Sequence, residues 1–487
     1  MTAGPSSPEL QAHRLVRAGC LEEALPFAQQ AIAGTDVCVP AHGMLALILL
    51  RLGQAREAER VVLEALEFRD GGADAYDSLA YVSIALGRHE RANALYKRAL
   101  DLAPGTVRFW YNLASSERSF GRLLDAEAAC NRAIALDAAH YRSYLLRSEL
   151  RVQTAEFNHV RELQAQLDRP TLTDGSRVLL GYALGKELDD LGHFDEAYRW
   201  FSDAAQARRR RLSYDVAIDE RKLQRIAEAY PLQLRGRDTS HRNSAQYVFI
   251  VGLPRSGTTL LERILTGLPG VRSNGETDNF ARALMAAAPL NGGDAFGRAA
   301  AADPGRVAEY YAKLADRDAS DGLVIEKLPM NYLYLGAIHL ALPDAKLILV
   351  KRSALDSCFA MYRTLFGDAY PFSYDFHDLA RYYSVYHRLM SHWRAALGDR
   401  MHEVDYECLV TEPDRVGASV ARYCRIPWDT TALEIQKNAA VSMTASAVQI
   451  RRPIYRTSSS RWRHYRTHLE PLIAELRQRG IHVGDDA

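Results

Sequence analysis

The stretch VGLPRSGTTLLERIL, Val251 to Leu265, decides how the second half of this 487-residue chain folds. It nearly matches the phosphate-binding loop G-x-x-x-x-G-K-[ST]. Gly252, Gly257 and Thr259 stand where that pattern requires them, but Thr258 takes the place of the lysine. The residues before the loop, QYVFIV, are β-formers, and TLLERILTGL after it has helical periodicity. A strand, a glycine-rich turn and a helix together predict a loop whose amides and helix dipole bind an anion.

The missing lysine leaves two interpretations of this loop. A nucleotide triphosphatase uses that lysine on the β and γ phosphates and the next Ser or Thr on magnesium. Here Arg255 brings a positive charge into the turn, and the strand AKLILVKR ends in Lys351 and Arg352 rather than in a magnesium-binding aspartate. Two cations at that point favour an anionic ligand. The pattern therefore favours transfer of an anionic group without a metal.

Further β-forming runs indicate a parallel sheet around the loop. GLVIEK, AKLILVKR and HEVDYE follow one another with helical stretches between them, as in an α/β domain with crossover helices. Ligands of such sheets bind at the carboxyl ends of the strands. The polar residues at those ends are Glu326, Lys327, Lys351, Arg352, Tyr406 and Glu407. Their shared placement predicts a single site.

The first third of the chain repeats itself every 34 residues. The positions that keep this step are Gly19, Gly53, Gly87 and Gly121; Ala24, Ala58, Ala92 and Ala126; Ala31, Ala65, Ala99 and Ala133; and Leu45, Leu79 and Leu113. This is the period of the tetratricopeptide repeat, a pair of antiparallel helices. We expect each glycine at the turn after the first helix, where a positive φ is needed, and the alanines where helices pack closely. A plain helical bundle is the alternative.

A degenerate repeat is predicted from Leu191 to Ala207, where LGHFDEAYRWFSDAAQA keeps the same step from glycine to alanine. The sequence thus predicts an all-α solenoid over residues 8–212, a linker over 213–244 and an α/β domain over 245–482. A solenoid of this kind either presents a groove to a peptide or protein or braces the neighbouring domain. The run Arg208 to Arg211 is interpreted as a solvated helix end or an interdomain contact, because no aromatic platform for nucleic acid accompanies it.

Composition limits the partners and the compartment. The net charge of +1 gives no overall attraction to nucleic acid or anionic membranes. The N-terminus lacks the pattern of a signal peptide, and no apolar run approaches the roughly 18 residues of a membrane span. The six cysteines are scattered without a C-x-x-C pair, as is typical of a reducing compartment. We expect a cytoplasmic protein with no nucleic-acid partner and no membrane span, and a homodimer stays open.

Several segments, in order, resemble the sulfotransferases that use 3'-phosphoadenosine 5'-phosphosulfate (PAPS), especially the protein-tyrosine sulfotransferases. PRSGTTLLERIL is similar to the family's 5'-phosphosulfate loop, and LILVKRSALDSCFAMYR to its 3'-phosphate segment. VDYECLVTEPDRV with CRIPWD resembles its Y-E-x-L-V…P and proline-tryptophan elements, and SSSRWRHY a C-terminal stretch that closes over the nucleotide. The resemblance covers Gln246 to Gly480. It implies a P-loop-like fold, PAPS as co-substrate and sulfuryl transfer to a hydroxyl.

The resemblance also implies which residues hold the cofactor. They are Arg255, Ser256, Gly257, Thr258 and Thr259 at the 5'-phosphosulfate, Arg352 at the 3'-phosphate, and Tyr406 and Ser460 beside the nucleotide. Ser458 and Ser459 leave the register of Ser460 open. One position departs from the family, which places a serine where this chain has Ala360. Ser357 or Ser353 are candidates to replace that hydroxyl, and Arg363 or Lys351 to add charge.

The catalytic roles implied by the resemblance suit the residue types. Glu276 corresponds to the general base, with Asp278 as the near alternative, and a carboxylate is a suitable acceptor for the hydroxyl proton. Lys327 and Arg255, with help from Ser460, correspond to the groups that stabilise the transferring sulfuryl group, which needs fixed positive charge. Histidines of the domain show no base-plus-orienter pattern.

Sulfuryl transfer from PAPS to an acceptor hydroxyl is therefore the predicted activity. The repeats and the resemblance make a tyrosine of a peptide or protein one candidate acceptor, while a carbohydrate, a lipid or a small phenol stays open because variable loops build acceptor pockets. A P-loop kinase or triphosphatase is the second hypothesis. An inactive scaffold that only binds a peptide is the third, and Ala360 is the residue that supports it.

Overall fold

The computed structural model describes residues 7–33, 39–68, 71–232, 246–291, 293–315, 322–444, 446–455 and 459–483. The chain forms two compact units, Met1–Arg151 and Val152–Ala487. None of the described helices is both long and apolar enough to cross a membrane.

The first unit consists of helix hairpins. Its described helices are α1 Pro8–Ala18, α2 Leu21–Ile32, α3 Val39–Arg51, α4 Ala55–Leu66, α5 Ala73–Ala85, α6 His89–Leu102, α7 Val107–Phe120, α8 Leu123–Leu136 and α9 Tyr141–Glu149. The four repeat glycines all have φ between 73° and 81° and lie in the turns within hairpins. The alanines at 24, 58, 92 and 126 are fully buried, because only a small side chain lets the second helix pack this closely. The tetratricopeptide prediction is confirmed.

The second unit begins with helices and continues into an α/β domain. Its helices are α10 Val160–Leu167, α11 Asp174–Asp190, α12 Phe194–Arg210, α13 Val216–Ala229, α14 Thr258–Leu265, α15 Asn279–Ala287, α16 Ala295–Ala300, α17 Pro304–Leu314, α18 Leu335–Ala341, α19 Ala354–Tyr362, α20 Phe376–Leu397, α21 Tyr406–Thr411, α22 Pro413–Cys424 and α23 Arg466–Gln478. Its strands are β1 Gln246–Gly252, β2 Val271–Ser273, β3 Leu323–Glu326, β4 Lys346–Lys351 and β5 Met401–Asp405.

Helices α11 and α12 form the degenerate hairpin that the sequence predicts, with Gly192 at φ 82° in the turn between them. Helix α13 lies inside residues 213–244, where the sequence predicts a linker. Asp215 caps it by accepting from the amide of Ala217, and Leu223 and Ile226 are buried on its contact with α20. The segment folds because its apolar residues have a helix to pack against.

The boundaries 8–212, 213–244 and 245–482 stay predictions. The division into compact units falls elsewhere in the sequence, between Arg151 and Val152. Helices α10 to α13 thus share a unit with the sheet. The arginine run at the end of α12 joins that unit internally: Arg208 pairs with Asp368, and Arg209 Nε lies 2.6 Å from Asp378 Oδ2. These two arginines are therefore not a solvated helix end, and their contacts lie within one compact unit rather than between the two units.

The five strands form one parallel sheet in the order β2-β3-β1-β4-β5. The sequence predicted four of them and missed β2, which has three half-buried residues at the sheet edge and no run of β-formers. Alternating residues of β1 face opposite layers: Val248 and Ile250 pack with α14 and α22, while Phe249 contacts the rings of Phe280 and Tyr311. Helices cover both faces, as a parallel sheet requires.

Candidate active site

The predicted phosphate loop joins β1 to α14, and its backbone is shaped by close contacts. Gly257 has φ 103°, and a Cβ there would lie 2.3 Å from Tyr406 Cδ2. A Cβ on Gly252 would lie 2.4 Å from the Val350 carbonyl oxygen. Arg255 also adopts a left-handed conformation, with φ 68°. At both glycine positions the loop therefore has room only for a hydrogen atom and not for a side chain. The backbone of Arg255 lies in a strained, left-handed conformation.

The donors of this loop suit an anionic group. The first amides of α14 have no acceptor within the helix, so they are available to an anion. Ser256 is 1% exposed, and its hydroxyl has no hydrogen-bond partner within the described ranges. A buried hydroxyl seldom lacks a partner in a folded protein. A bound anionic group would satisfy it.

A cavity of about 310 Å³ lies beside the loop at the carboxyl ends of the strands. The predicted site residues that line it are Arg255, Gly257, Thr258, Thr259, Glu276, Arg352 and Tyr406. They come from the loop, from the segments after β2 and β4, and from the start of α21. The structure thus brings together residues that are up to 151 positions apart in the chain. Of the six polar residues predicted at strand ends, Arg352 and Tyr406 line the cavity, whereas Glu326, Lys327, Lys351 and Glu407 do not.

Three predicted residues lie outside the cavity wall. Ser256 is buried within the loop, and Lys327 is buried beneath Glu276. Ser460 donates its backbone N–H to Asp356 Oδ2 at 3.1 Å. Ser459 has a buried hydroxyl without a partner among the described residues, and Ser458 lies outside them, so the register of the predicted serine stays open.

Asp278, the alternative base, does not line the cavity. Its side chain is 70% exposed and lies 3.9 Å from Arg282. Glu276 lines the cavity and is therefore the better placed carboxylate. Within the described ranges, no group of three or more His, Cys, Asp or Glu residues is arranged to hold a metal ion.

Glu276 is held by a buried lysine that has a second carboxylate beside it. Lys327 Nζ donates to Glu276 Oε1 at 2.5 Å and lies 3.5 Å from Glu262 Oε2. The Lys327 side chain is 0% exposed, against 13% for Glu262 and 34% for Glu276. Ser273 fixes Glu262 by donating its hydroxyl at 2.5 Å. Of its two carboxylate partners, Glu276 is the one that lines the cavity.

Glu262 was missed by the sequence analysis. It lies in the helix that follows the loop, and its partners Lys327 and Ser273 are distant in the sequence, so no local pattern pointed to it.

Arg352 is fixed by contacts on three sides. It donates to the backbone oxygen of Arg255 at 3.0 Å, its NH2 group lies 3.3 Å from Asp356 Oδ1, and its guanidinium carbon lies 4.7 Å from the centre of the Tyr406 ring. Through this cation–π contact and its close packing on Gly257, the Tyr406 ring touches both Arg352 and the loop. Asp356, four residues after Arg352, matches a helical ion-pair spacing that the sequence analysis did not use.

The structure distinguishes the candidates for the serine missing at Ala360, which itself lines the cavity. Ser353 donates its hydroxyl to Asp356, and Ser357 donates to the Arg352 carbonyl at 3.4 Å. Lys351 pairs with Glu403 and Asp405 and is not in the wall. Arg363 does line the cavity, so it is the candidate best placed to add charge.

Residues 435–444 and 446–455 form a segment that contributes to the cavity wall, and the part before Arg451 was not predicted. Arg255 donates to Ser446 Oγ at 2.5 Å. Arg263 on α14 donates to the carbonyls of Asn438 and Ala440 at 3.1 and 2.7 Å. Burial, with Arg451 nearby, lowers the pKa of Arg263 to about 10. Since the guanidinium is bound to carbonyls rather than a carboxylate, it pins this segment to the loop helix.

Next to Glu276 the wall is apolar and aromatic. Pro329, Phe366 and Tyr370 line it, with the two rings 4.8 Å apart edge to face. Burial, and the nearby charge of Glu276, raise the pKa of Tyr370 to about 12. The Tyr370 phenol is therefore neutral at physiological pH.

Comparison with known families agrees with these features. A family model described as "Sulfotransferase family" matches residues 247–430, and two tetratricopeptide repeat models match residues 73–116 and 107–140. An uncharacterised protein of Aquifex aeolicus (strain VF5) is 28% identical over 355 residues, 69% of this chain and 46% of that protein. Protein-tyrosine sulfotransferase 1 of Danio rerio is 26% identical over 247 residues, 44% of this chain and 65% of that protein. The chain thus matches about half to two thirds of these relatives' lengths.

Among solved structures, the sulfotransferase domain of the Synechococcus PCC 7002 olefin synthase is 22% identical. The match covers 46% of this chain and 89% of that domain, with a TM-score of 0.36. The sulfotransferase domain from the curacin biosynthetic pathway is 16% identical, covering 50% of this chain and all of that domain, with a TM-score of 0.37.

Proposed function

From a chain that carries tetratricopeptide repeats and a sulfotransferase-family domain, we propose an enzyme that transfers a sulfuryl group from PAPS to an acceptor hydroxyl. The observation that carries the proposal is the single cavity in which the loop arginine, a second arginine and a carboxylate meet. A donor with two anionic ends needs positive charge at two places, and Arg255 and Arg352 supply it. A hydroxyl acceptor needs a base, which Glu276 supplies.

PAPS, when bound, supplies the sulfuryl group and the phosphate from which it departs. The first amides of α14, Ser256 and Arg255 would hold the phosphosulfate, and Arg352 with Tyr406 the nucleotide end. Fixed dipoles and charges of this kind stabilise the charge that develops on the leaving oxygen without reorganising. The segment over the loop, tied to Arg255 through Ser446, would exclude water from the reacting group.

Glu276 would take the proton of the acceptor hydroxyl as its oxygen bonds to sulfur. The carboxylate is partly exposed to the cavity, while Lys327 binds it from below. The ammonium holds the carboxylate in place at the cavity wall. When Glu276 has accepted the proton, Glu262 still faces Lys327 at 3.5 Å, so the buried ammonium keeps a counter-ion. We propose that Lys327 acts chiefly by holding the base, with the sulfuryl contact predicted from the resemblance as a further role.

The acceptor that we propose is a tyrosine of a peptide or protein. The apolar wall of Pro329, Phe366 and Tyr370 beside Glu276 suits an aromatic ring. Tetratricopeptide repeats commonly bind peptides, and the repeats here would present the acceptor protein. A cytoplasmic location and a homodimer stay predictions from the sequence.

The decisive experiment is calorimetry with 3'-phosphoadenosine 5'-phosphate and, separately, magnesium-ATP. We expect the wild type to bind the bisphosphate, and Arg255→Ala to bind it at least tenfold more weakly, since a charge-assisted contact is lost. Arg306→Ala, an exposed arginine on α17, serves as the control and should bind like the wild type.

Tight binding of magnesium-ATP without any binding of the bisphosphate would replace the sulfotransferase proposal with the kinase or triphosphatase hypothesis. Binding of the bisphosphate without transfer to any tyrosine peptide, carbohydrate or phenol would favour the inactive scaffold. A transfer assay across those three acceptor classes therefore follows the calorimetry.

A further inference from the structure

A buried carboxylate outside the sulfotransferase match lies behind the cavity. Asp189 is in the last turn of α11, and its side chain is 3% exposed. Three side chains converge on it: Arg363, whose NH1 lies at 2.6 Å, Arg461, whose Nε lies at 3.0 and 3.1 Å from the two carboxylate oxygens, and the Tyr465 hydroxyl. Arg461 also donates to the Asp189 carbonyl at 3.0 Å.

The partners of Asp189 belong to two parts of the site. Arg363 lines the cavity close to Ala360 and Arg352. Arg461 and Tyr465 are the first and last residues of a short 3-10 helix, Arg461–Tyr465. This helix directly follows the described serines Ser459 and Ser460. One carboxylate thus holds a cation of the cavity wall and the C-terminal segment at once.

Asp356 makes the same kind of connection on the other side. It pairs with Arg352 of the cavity wall and accepts the backbone N–H of Ser460. Asp356 is 4% exposed. Two buried carboxylates therefore each link one wall arginine to the segment of residues 459–465, and only Asp356 lies within the family match at 247–430.

We infer that Asp189 is a positioning residue for the anion-binding end of the cavity. It orients Arg363 in the cavity wall and fixes residues 459–465 beside Arg352. This inference rests on the proposed function, because it assigns Arg363 to the nucleotide end of PAPS, where Ala360 removes a hydroxyl. Arg363 is the cation that takes over there. The helix pair α11–α12, which looks like a repeat, thereby contributes to the catalytic domain.

The charges support this assignment. Burial alone would raise the pKa of Asp189, but Arg363 and Arg461 outweigh it and hold that pKa below its usual range. Two guanidiniums against one carboxylate leave the cluster with an excess of positive charge. Asp189 therefore positions Arg363 without fully neutralising its positive charge, because Arg461 pairs with the same carboxylate. An anion at the cavity wall meets a fixed cation, and little conformational entropy is lost on binding.

Asp189→Asn tests the inference, with Asp195→Asn as the matched control. Asp195 lies on the same helix pair and pairs with His468 at 2.7 Å, but its side chain is 78% exposed. We expect Asp189→Asn to weaken binding of 3'-phosphoadenosine 5'-phosphate about tenfold or more, as for loss of one hydrogen bond to a charged group. In the transfer assay the KM for PAPS should rise while kcat and the KM for the acceptor change far less. The control should match the wild type throughout.

Hydrogen exchange adds a measurement that does not depend on the donor. Amides of residues 460–465 should exchange faster in Asp189→Asn than in the wild type, and those of β1 and β4 should not. If Asp189→Asn does not fold, Arg461→Gln decides, because it removes the guanidinium link to the C-terminal segment while the Tyr465 hydroxyl and Arg363 stay on Asp189.

Two outcomes separate this inference from the proposed function. If the wild type binds no bisphosphate, the proposed function fails, whatever Asp189 does to exchange. If the wild type binds it and both Asp189→Asn and Arg461→Gln bind equally well with unchanged exchange at residues 460–465, the positioning role of Asp189 is wrong.

Discussion

Replacing Lys327 by methionine is the most informative single change at the proposed base. Methionine keeps much of the length of the side chain and removes its charge. The ammonium is fully buried between Glu276 at 2.5 Å and Glu262 at 3.5 Å. Without it, two carboxylates face each other, one of them largely buried and the other partly exposed to the cavity. The change should therefore destabilise the fold as well as disturb the base.

The size of this effect follows from burial. Removing one partner of a buried ion pair costs about 3–5 kcal/mol, and the lower end applies because the Glu276 side chain is 34% exposed. The second unit has roughly 340 residues, for which the unfolding entropy is about 0.7 kcal/mol per kelvin. A loss of about 3 kcal/mol then lowers the melting temperature of this unit by about 4 °C.

Differential scanning calorimetry of the full chain measures the shift. Lys313→Met is the matched control, since its ammonium pairs with Glu309 at 2.6 Å on a surface where both side chains are more than 60% exposed. Such pairs contribute at most about 0.5 kcal/mol, so its melting temperature should move by less than about 1 °C. The double variant Lys327→Met, Glu276→Gln should recover part of the lost stability, because one of the two facing carboxylates is gone.

Two results would refute this reasoning. A melting shift for Lys327→Met no larger than that for Lys313→Met would mean that the buried pair contributes no more than a surface one. A double variant less stable than Lys327→Met would mean that Glu276 does not face a second unpaired carboxylate.

Three further predictions concern the base, the loop and acid stability. Glu276→Gln should lower kcat about a hundredfold to ten-thousandfold in a transfer assay with the donor in excess, the usual range for a lost general base; Asp278→Asn should not, and the reverse pattern would assign the base to Asp278. Gly257→Ala should abolish bisphosphate binding in calorimetry and lower the melting temperature, because the new Cβ comes within 2.3 Å of an aromatic ring at φ 103°. Gly480→Ala, with φ 72° and open space, isolates the backbone part, and equal effects of the two would exclude the steric explanation. The pKa of Asp189 is lowered on folding from 3.8, so its ionisation stabilises the fold fully above pH 3.8 and this contribution is lost as the pH falls through the folded value. Urea titrations should show Asp189→Asn less stable than the wild type at pH 7, with a gap that narrows at acid pH; a gap independent of pH would contradict the linkage.

Periodicity made most of the architecture predictable. The 34-residue step placed the hairpin glycines at φ above 70°, and four runs of β-formers placed four of the five strands. A run of apolar residues is a local property, so it can be recognised directly in the sequence. Strand β2 escaped because three residues paired at a sheet edge need no such run.

The placement of Arg255 and Arg352 at one cavity was predictable, because they stand in the loop and at the end of a predicted strand. Glu276 was named only through the family resemblance, since the strand before it, β2, has no run of β-formers. Ser446 and Asp189 were not predictable, because their roles depend on contacts across 191 and 174 positions with Arg255 and Arg363. A serine or an aspartate in a helix-rich segment carries no local sign of such a partner. The part of a site that orients the reacting groups is set by tertiary packing.

The place of Asp189 on α11 has a practical consequence for anyone who wants the catalytic part alone. A fragment started at Gln246 would contain the loop, Glu276 and both wall arginines, yet it would leave behind the acid to which Arg363, Arg461 and Tyr465 are bound. A gene fusion or a minimal expression clone that began at Gln246 would carry the cavity residues but lack Asp189. Val152, where the compact unit begins, is the cut that keeps them together.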